Sequence, residues 1–224
     1  MPDVSTLVTF IAALLVLEIT PGPDMMLVLA RGIGQGRRIA LLTVVGMVFV
    51  AGIVQVGLLV LGIASLLKAY PAGLMVLQWV GALYLLYLGI RMILSSRSDQ
   101  GSKLAVAYSS DWSAVGEGTI NSLTNPKSLL FMFAFLPQFV DPSSGPIWIQ
   151  LLVLGTIQKL GGIVSLGSVA VASGMIGRWL FRWPSLLVWQ QRFAGLVMIG
   201  LGLRLLMIGN AGTTSQFVLS RASR

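Results

Sequence analysis

Four ionisable side chains sit inside apolar runs of this chain, Glu18, Asp24, Lys127 and Lys159, and two glutamines, Gln55 and Gln158, share that setting. Charge in the middle of a hydrocarbon-spanning helix costs about 2.5 to 3.5 kcal/mol on insertion scales, so such residues are functional candidates by default. Glu18 lies near the centre of the first apolar run and suits a proton carrier or an ammonium partner. Asp24 falls in the first turn after a proline break, where it either binds a ligand or only complements the helix dipole. Lys127, one residue after Pro126, stands at the unfavourable end of its helix dipole; pairing an acid of the other half and holding a substrate carboxylate are its two readings. Lys159 either snorkels or pairs with Glu18, and with Glu18 and Asp24 it is a candidate for ion coupling. Gln55 and Gln158 line a polar path or bridge helices.

The elements that would position these groups are interrupted ones. In "LEITPGPDMM" the run Pro21, Gly22, Pro23 cuts the first apolar segment, and in "LTNPKSL" the run Asn125, Pro126, Lys127 cuts a later one. Proline lacks the N–H of the helix ladder and clashes with the carbonyl four residues back. Pro21 and Pro23 therefore free the carbonyls of Leu17 and Ile19, and Pro126 frees that of Ser122. Irregular backbone at membrane depth is tolerated only where it meets protein or a wet cavity. Each restarted half-helix would also turn its positive end toward that cavity, a setting for a carboxylate.

The two interruptions recur at matched spacing. Thr20 stands 35 residues before Gln55 and Thr124 stands 34 before Gln158, with Gly52 and Gly155 each three ahead of the glutamine. This spacing predicts two related halves of three spans. An odd number of spans forces the second half into the membrane with opposite orientation, the inverted-repeat pattern of secondary transporters.

Composition sets the class. Of 224 residues 56% are hydrophobic and 10% charged, and the mean hydropathy is +0.90; soluble domains carry roughly a quarter charged residues. The expectation is an all-α integral membrane protein in a single domain, 1–208, with spans at about 7–30, 39–66, 73–94, 114–139, 147–176 and 190–208. They group into repeat one, about 7–94, and repeat two, about 114–208, joined by a polar cytoplasmic loop, 95–112; residues 210–224 read as a disordered tail. The run "LVTFIAALLVLEIT" reads as the first span and not as a signal peptide. "RWLFRWPSLLVWQQR" has the aromatic and basic composition of a membrane interface.

Nine of the fifteen basic residues fall after the first, third and fifth spans, among them Arg31, Arg37, Arg38, Arg91 and Arg178. By the positive-inside rule both termini lie outside. The net charge of +8 is spread over short loops and forms no nucleic-acid-binding face. With no cysteine and no histidine, thiolate or imidazole metal sites and histidine-dependent catalytic triads are excluded. No cofactor is expected.

The stretches "TPGPDMMLVLARGIGQGRRIAL", "LQWVGALYLLYLGIRM" and "NSLTNPKSLLFMFAFLPQFV" resemble the LysE/RhtB amino-acid exporter family, along residues 1 to about 208. The resemblance implies about six spans, export of amino acids driven by an ion gradient, and the family's two proline motifs at Pro21–Pro23 and Asn125–Lys127. Many members carry a histidine in the second span and an acid in the fifth. This chain has neither, which shifts the expected proton coupling to Glu18 and Asp24. The leading expectation is a secondary exporter of amino acids in the inner membrane, working by alternating access, with a homo-oligomer left open. The alternatives are export of another small amphiphile or a hard cation, and a non-transporting membrane component.

Overall fold

The structure is a computed structural model that describes residues 4–69, 73–95 and 109–182, together with 188–189, 192–193, 195–200, 202–203 and 206–207. Among the described residues every regular element is helical. Helix α1 (Val4–Ile19) buries Phe10, Ala13, Leu14 and Leu17, one stripe at helical spacing. Its other face, with Val8, Ile11, Leu15 and Ile19, is equally apolar and exposed. Apolar surface all round a helix is what lipid contact demands.

Pro21 and Pro23 set where α1 stops. The Thr20 amide closes the last turn onto the Val16 and Leu17 carbonyls at 3.2 and 3.1 Å, and the Thr20 hydroxyl donates to Val16 O at 2.6 Å. The chain passes through extended Gly22 and restarts as α2 (Pro23–Gln35), with proline in the first turn. The axes of α1 and α2 differ by 45°. Gly36, at φ +91°, then turns the chain into the next helix with a backbone conformation that favours glycine.

That next helix is one long rod built from α3 (Arg37–Val45), a π turn at Gly46–Val50, α4 (Ala51–Leu58), a second π turn at Leu59–Ile63 and α5 (Ala64–Ala69). Residues Arg37–Leu66 and Ile147–Met175 are each long and apolar enough to cross a bilayer, and α1 with α2 qualifies as a third if the bent pair is one span. Helix α6 (Gly73–Ser95) covers the expected third span. The expected fourth, 114–139, is divided between α7 (Asp111–Thr124), α8 (Pro126–Leu130), a π turn at Phe131–Phe135 and a 3-10 turn at Leu136–Phe139. Helix α9 (Ile147–Arg182) runs past the expected end at 176 and takes in the first part of the Trp/Arg-rich segment. Most of the predicted loop 95–112 and the whole tail 210–224 lie outside the described residues, as do 183–187.

Packing falls into two apolar clusters. One joins Phe10, Leu14, Phe131, Met132, Phe135, Leu151 and Leu154, with Phe131 and Phe135 ring centroids 4.9 Å apart. The other joins Val28, Leu29, Ala40, Val44, Met47, Val48 and Ala170. Helices cross closely where glycine leaves room. A Cβ on Gly46 would stand 2.0 Å from the Val115 carbonyl oxygen, one on Gly118 2.2 Å from that of Thr43, and one on Gly89 2.5 Å from that of Gly195. Small residues at such crossings supply van der Waals contact where lipid offers no hydrophobic drive.

One end of the bundle is tied together by charge. Arg31, near the end of α2, pairs with Glu117 on α7, and Arg38 pairs with Asp111. The Ser109 amide donates to Gln35 Oε1 at 2.9 Å. The hydroxyls of Ser109 and Ser113 donate to Glu117 Oε1 at 2.7 and 2.9 Å. The sequence places Arg31 in the connection after the first span; it lies in α2 instead and is only 3% exposed, with the partly exposed Glu117 supplying its countercharge.

Candidate functional site

Between the two apolar clusters the ends of α1, α2, α7 and α8 border a partly open cavity of about 50 Å3, bordered on its remaining sides by the π turn at Gly46–Val50 and by α9. Its polar border contains Glu18, Asp24, Asn125, Lys127, Gln158 and Lys159, with Thr20, Gly22, Ser122 and Ser128. Leu17, Met25, Met47, Val48 and Leu166 complete the wall with apolar surface. Gln158, Lys159, Gly162 and Leu166 enter it from one face of α9, as their helical spacing requires.

At each break one open carbonyl takes a partner from the opposite half of the chain, that of Ser122, freed by Pro126, and that of Thr20, where the first helix ends. Gln55, fully buried on α4, donates from Nε2 to the Ser122 carbonyl at 3.0 Å. Lys127 donates from Nζ to the Thr20 carbonyl at 2.5 Å, its stem lying over Gly22, where a Cβ would come within 3.1 Å of Cδ. The Asn125 side chain caps α8 by accepting from the Lys127 amide at 3.0 Å, whereas no side chain caps α2.

The acids are held by neutral donors. Asn121 donates to Asp24 Oδ1 at 2.6 Å, and the Ser165 hydroxyl donates to Glu18. Lys159 donates to Gln55 Oε1 and does not pair with Glu18. Among the described residues the ion pairs within 4 Å are Arg31–Glu117 and Arg38–Asp111, so the two acids and two lysines of the cavity face one space without touching each other. Among the described residues the buried Gln158 Oε1 has no hydrogen-bond partner. Pro21, Pro23 and Pro126 shape the two turns.

The geometry thus gathers Glu18, Gly22, Asp24, Asn125, Lys127, Gln158 and Lys159 around one cavity; Gln55 stands behind Lys159 as its support, and Pro21, Pro23 and Pro126 do not line it. Asn121, Ser165 and the Arg31–Glu117 pair were not singled out by the sequence. For Ser165 the available signal is its seven-residue spacing from Gln158, two turns along the same face.

Comparison with known proteins settles the family. Residues 15–209 match the LysE type translocator model. The chain belongs to the LysE type translocator family. This translocator is 29% identical over 197 residues to the leucine efflux protein of Enterobacter sp. (strain 638), covering 88% of this chain and 93% of that one. It is 25% identical over 197 residues to the leucine efflux protein of Salmonella typhimurium, covering 88% and 92%. An uncharacterised membrane protein of Pseudomonas aeruginosa is 31% identical over 205 residues, covering 88% and 93%. No solved structure matches. The translocator is a membrane transporter and not an enzyme.

Proposed function

We propose that this translocator is a secondary active exporter of amino acids in a bacterial-type inner membrane, binding its substrate as a zwitterion between the two helix breaks. The observation that carries the reading is the charge balance of the cavity: Glu18 and Asp24 against Lys127 and Lys159, bordering one space with no ion pair among them. Unneutralised charges in a low-dielectric site are costly. A zwitterion lying across the cavity supplies a carboxylate to Lys127 and Lys159 and an ammonium to Glu18, Asp24 and the unpartnered Gln158 carbonyl. The names of the relatives, leucine efflux proteins, favour a neutral amino acid with an apolar side chain.

In this reading the chain is built from two inverted repeats of three spans, each with its first helix broken at a proline motif. The matched spacings Thr20–Gln55 and Thr124–Gln158 support it, and so does the exchange of hydrogen bonds between the breaks. Alternating access opens the cavity first at the Arg31–Glu117 end, which faces the cytoplasm if both termini lie outside, and then at the opposite end. Glu18 and Asp24 couple export to the proton gradient by taking a proton when the substrate ammonium leaves.

Counterflow in proteoliposomes with a panel of amino acids tests the reading, comparing wild type with Lys127→Ala and Asp24→Asn. The expected result is saturable, gradient-dependent flux of at least one amino acid that both variants reduce. Wild-type protein, correctly inserted, that moves none of them would sink the amino-acid reading in favour of another small amphiphile, a hard cation or a non-transporting role.

A further inference from the structure

The central cavity is small for the substrate just proposed. A volume of about 50 Å3 suits a few waters or a group the size of an amino acid's charged head, a single water needing roughly 10–15 Å3. A branched side chain needs further space beside it. Beside it, between α4 and α9, a second hollow of about 410 Å3, a wide-open groove, lies on the exposed face of the bundle, lined by apolar residues including Phe49, Ile53, Val56 and Leu61. Two residues border both spaces, Val48 and Lys159.

Lys159 makes the partition. Its ammonium is anchored on Gln55, and its stem lies across Gly52, where a Cβ would stand 3.2 Å from Cδ. The wall between the polar chamber and the apolar hollow is therefore a flexible alkyl chain resting on bare backbone. Gly57, one and a half turns further on, faces open space, with no atom within 4 Å of a Cβ placed there.

From the shared walls and the size mismatch we infer that the hollow between α4 and α9 is a side-chain subsite: it takes the apolar side chain of an amino acid whose charged head sits in the central cavity. Gly52 and Gly57 set its depth, and the Lys159 stem moves off Gly52 to admit the side chain. The inference rests on the amino-acid reading above and adds the residues that set selectivity.

The test is a selectivity ratio. Leucine and alanine share one charged head and differ in the group this hollow would hold, so kcat/KM for each is measured in phosphatidylethanolamine–phosphatidylglycerol proteoliposomes. Gly57→Leu, whose Cβ would have no atom within 4 Å, extends its side chain into the hollow and should lower the leucine-to-alanine ratio roughly tenfold or more, the scale on which pockets discriminate lost apolar volume. Ile53→Ala removes an exposed wall of the hollow instead and should raise the ratio of phenylalanine to alanine. If wild type discriminates among amino acids yet both variants keep its ratios, the hollow is covered by a lipid chain or a second copy, and the subsite is overturned while amino-acid export stands. Wild-type protein moving no amino acid overturns both.

Discussion

Gln55 on α4 donates to the carbonyl of Ser122 at 3.0 Å, and that carbonyl is the one Pro126 strips of its helical partner. A side chain from the first half of the chain completes the helix ladder broken in the second. Its other end accepts from Lys159, so one amide satisfies a backbone group and orients a cation of the cavity.

Replacing Gln55 with leucine, similar in size, leaves both partners unsatisfied. Stranding a buried acceptor costs about 1–3 kcal/mol. The expected outcome is a melting temperature several degrees lower in detergent, with a further loss of flux from the displaced Lys159. An unchanged melting temperature would show that water replaces the amide.

Lys127 bridges in the other direction, from α8 to the Thr20 carbonyl at 2.5 Å. Lys127→Met keeps the apolar stem over Gly22 and removes the charge. Loss of a charged hydrogen-bonding group to the substrate carboxylate should lower kcat/KM roughly 10- to 100-fold. Equal flux in wild type and variant, read by counterflow, would remove Lys127 from the binding site.

The Arg31–Glu117 pair closes one end. Glu117 is 38% exposed while Arg31 is 3% exposed, so breaking the pair should cost about 1–3 kcal/mol, less than a fully buried pair. Thermal unfolding of Arg31→Gln, Glu117→Gln and the double variant checks this. The double should lose less than the sum of the singles, by at least about 0.5 kcal/mol; strict additivity would mean that the two side chains act independently.

Outside the spans, Asp141 is held at about 2, below the usual carboxylate range, by hydrogen bonds from the Ser143 and Ser144 hydroxyls and the Ser143 amide. A carboxylate depressed by folding contributes stability above its unfolded pKa of about 3.9, and that contribution fades as pH falls through the folded value. Stability should therefore drop between about pH 4 and pH 2. Ser143→Ala/Ser144→Ala should return the Asp141 titration, followed by carboxyl NMR, toward the ordinary range and flatten that drop.

What the sequence reveals depends on whether a residue's oddity can be seen in one dimension. Glu18, Lys127 and the prolines contradict their apolar surroundings, so they are conspicuous; the two charges border the cavity and the prolines shape the turns beside it. Ser165 and Asn121 are unremarkable in a helix, and their value depends on which face meets Glu18 and Asp24. Arg31 looked like a loop cation because Glu117, its partner, lies 86 residues away. The hollow beside Lys159 was invisible for the same reason: Gly52 and Gly57 read as packing glycines, and only the placement of α9 shows that Gly57 packs against nothing.

Thr20 precedes Lys127 by 107 residues. A ribosome making this chain therefore delivers the first broken helix to the membrane long before the lysine that will seal its open carbonyl has been synthesised. Lipid cannot satisfy that carbonyl, so until the lysine arrives it depends on water or on another part of the chain.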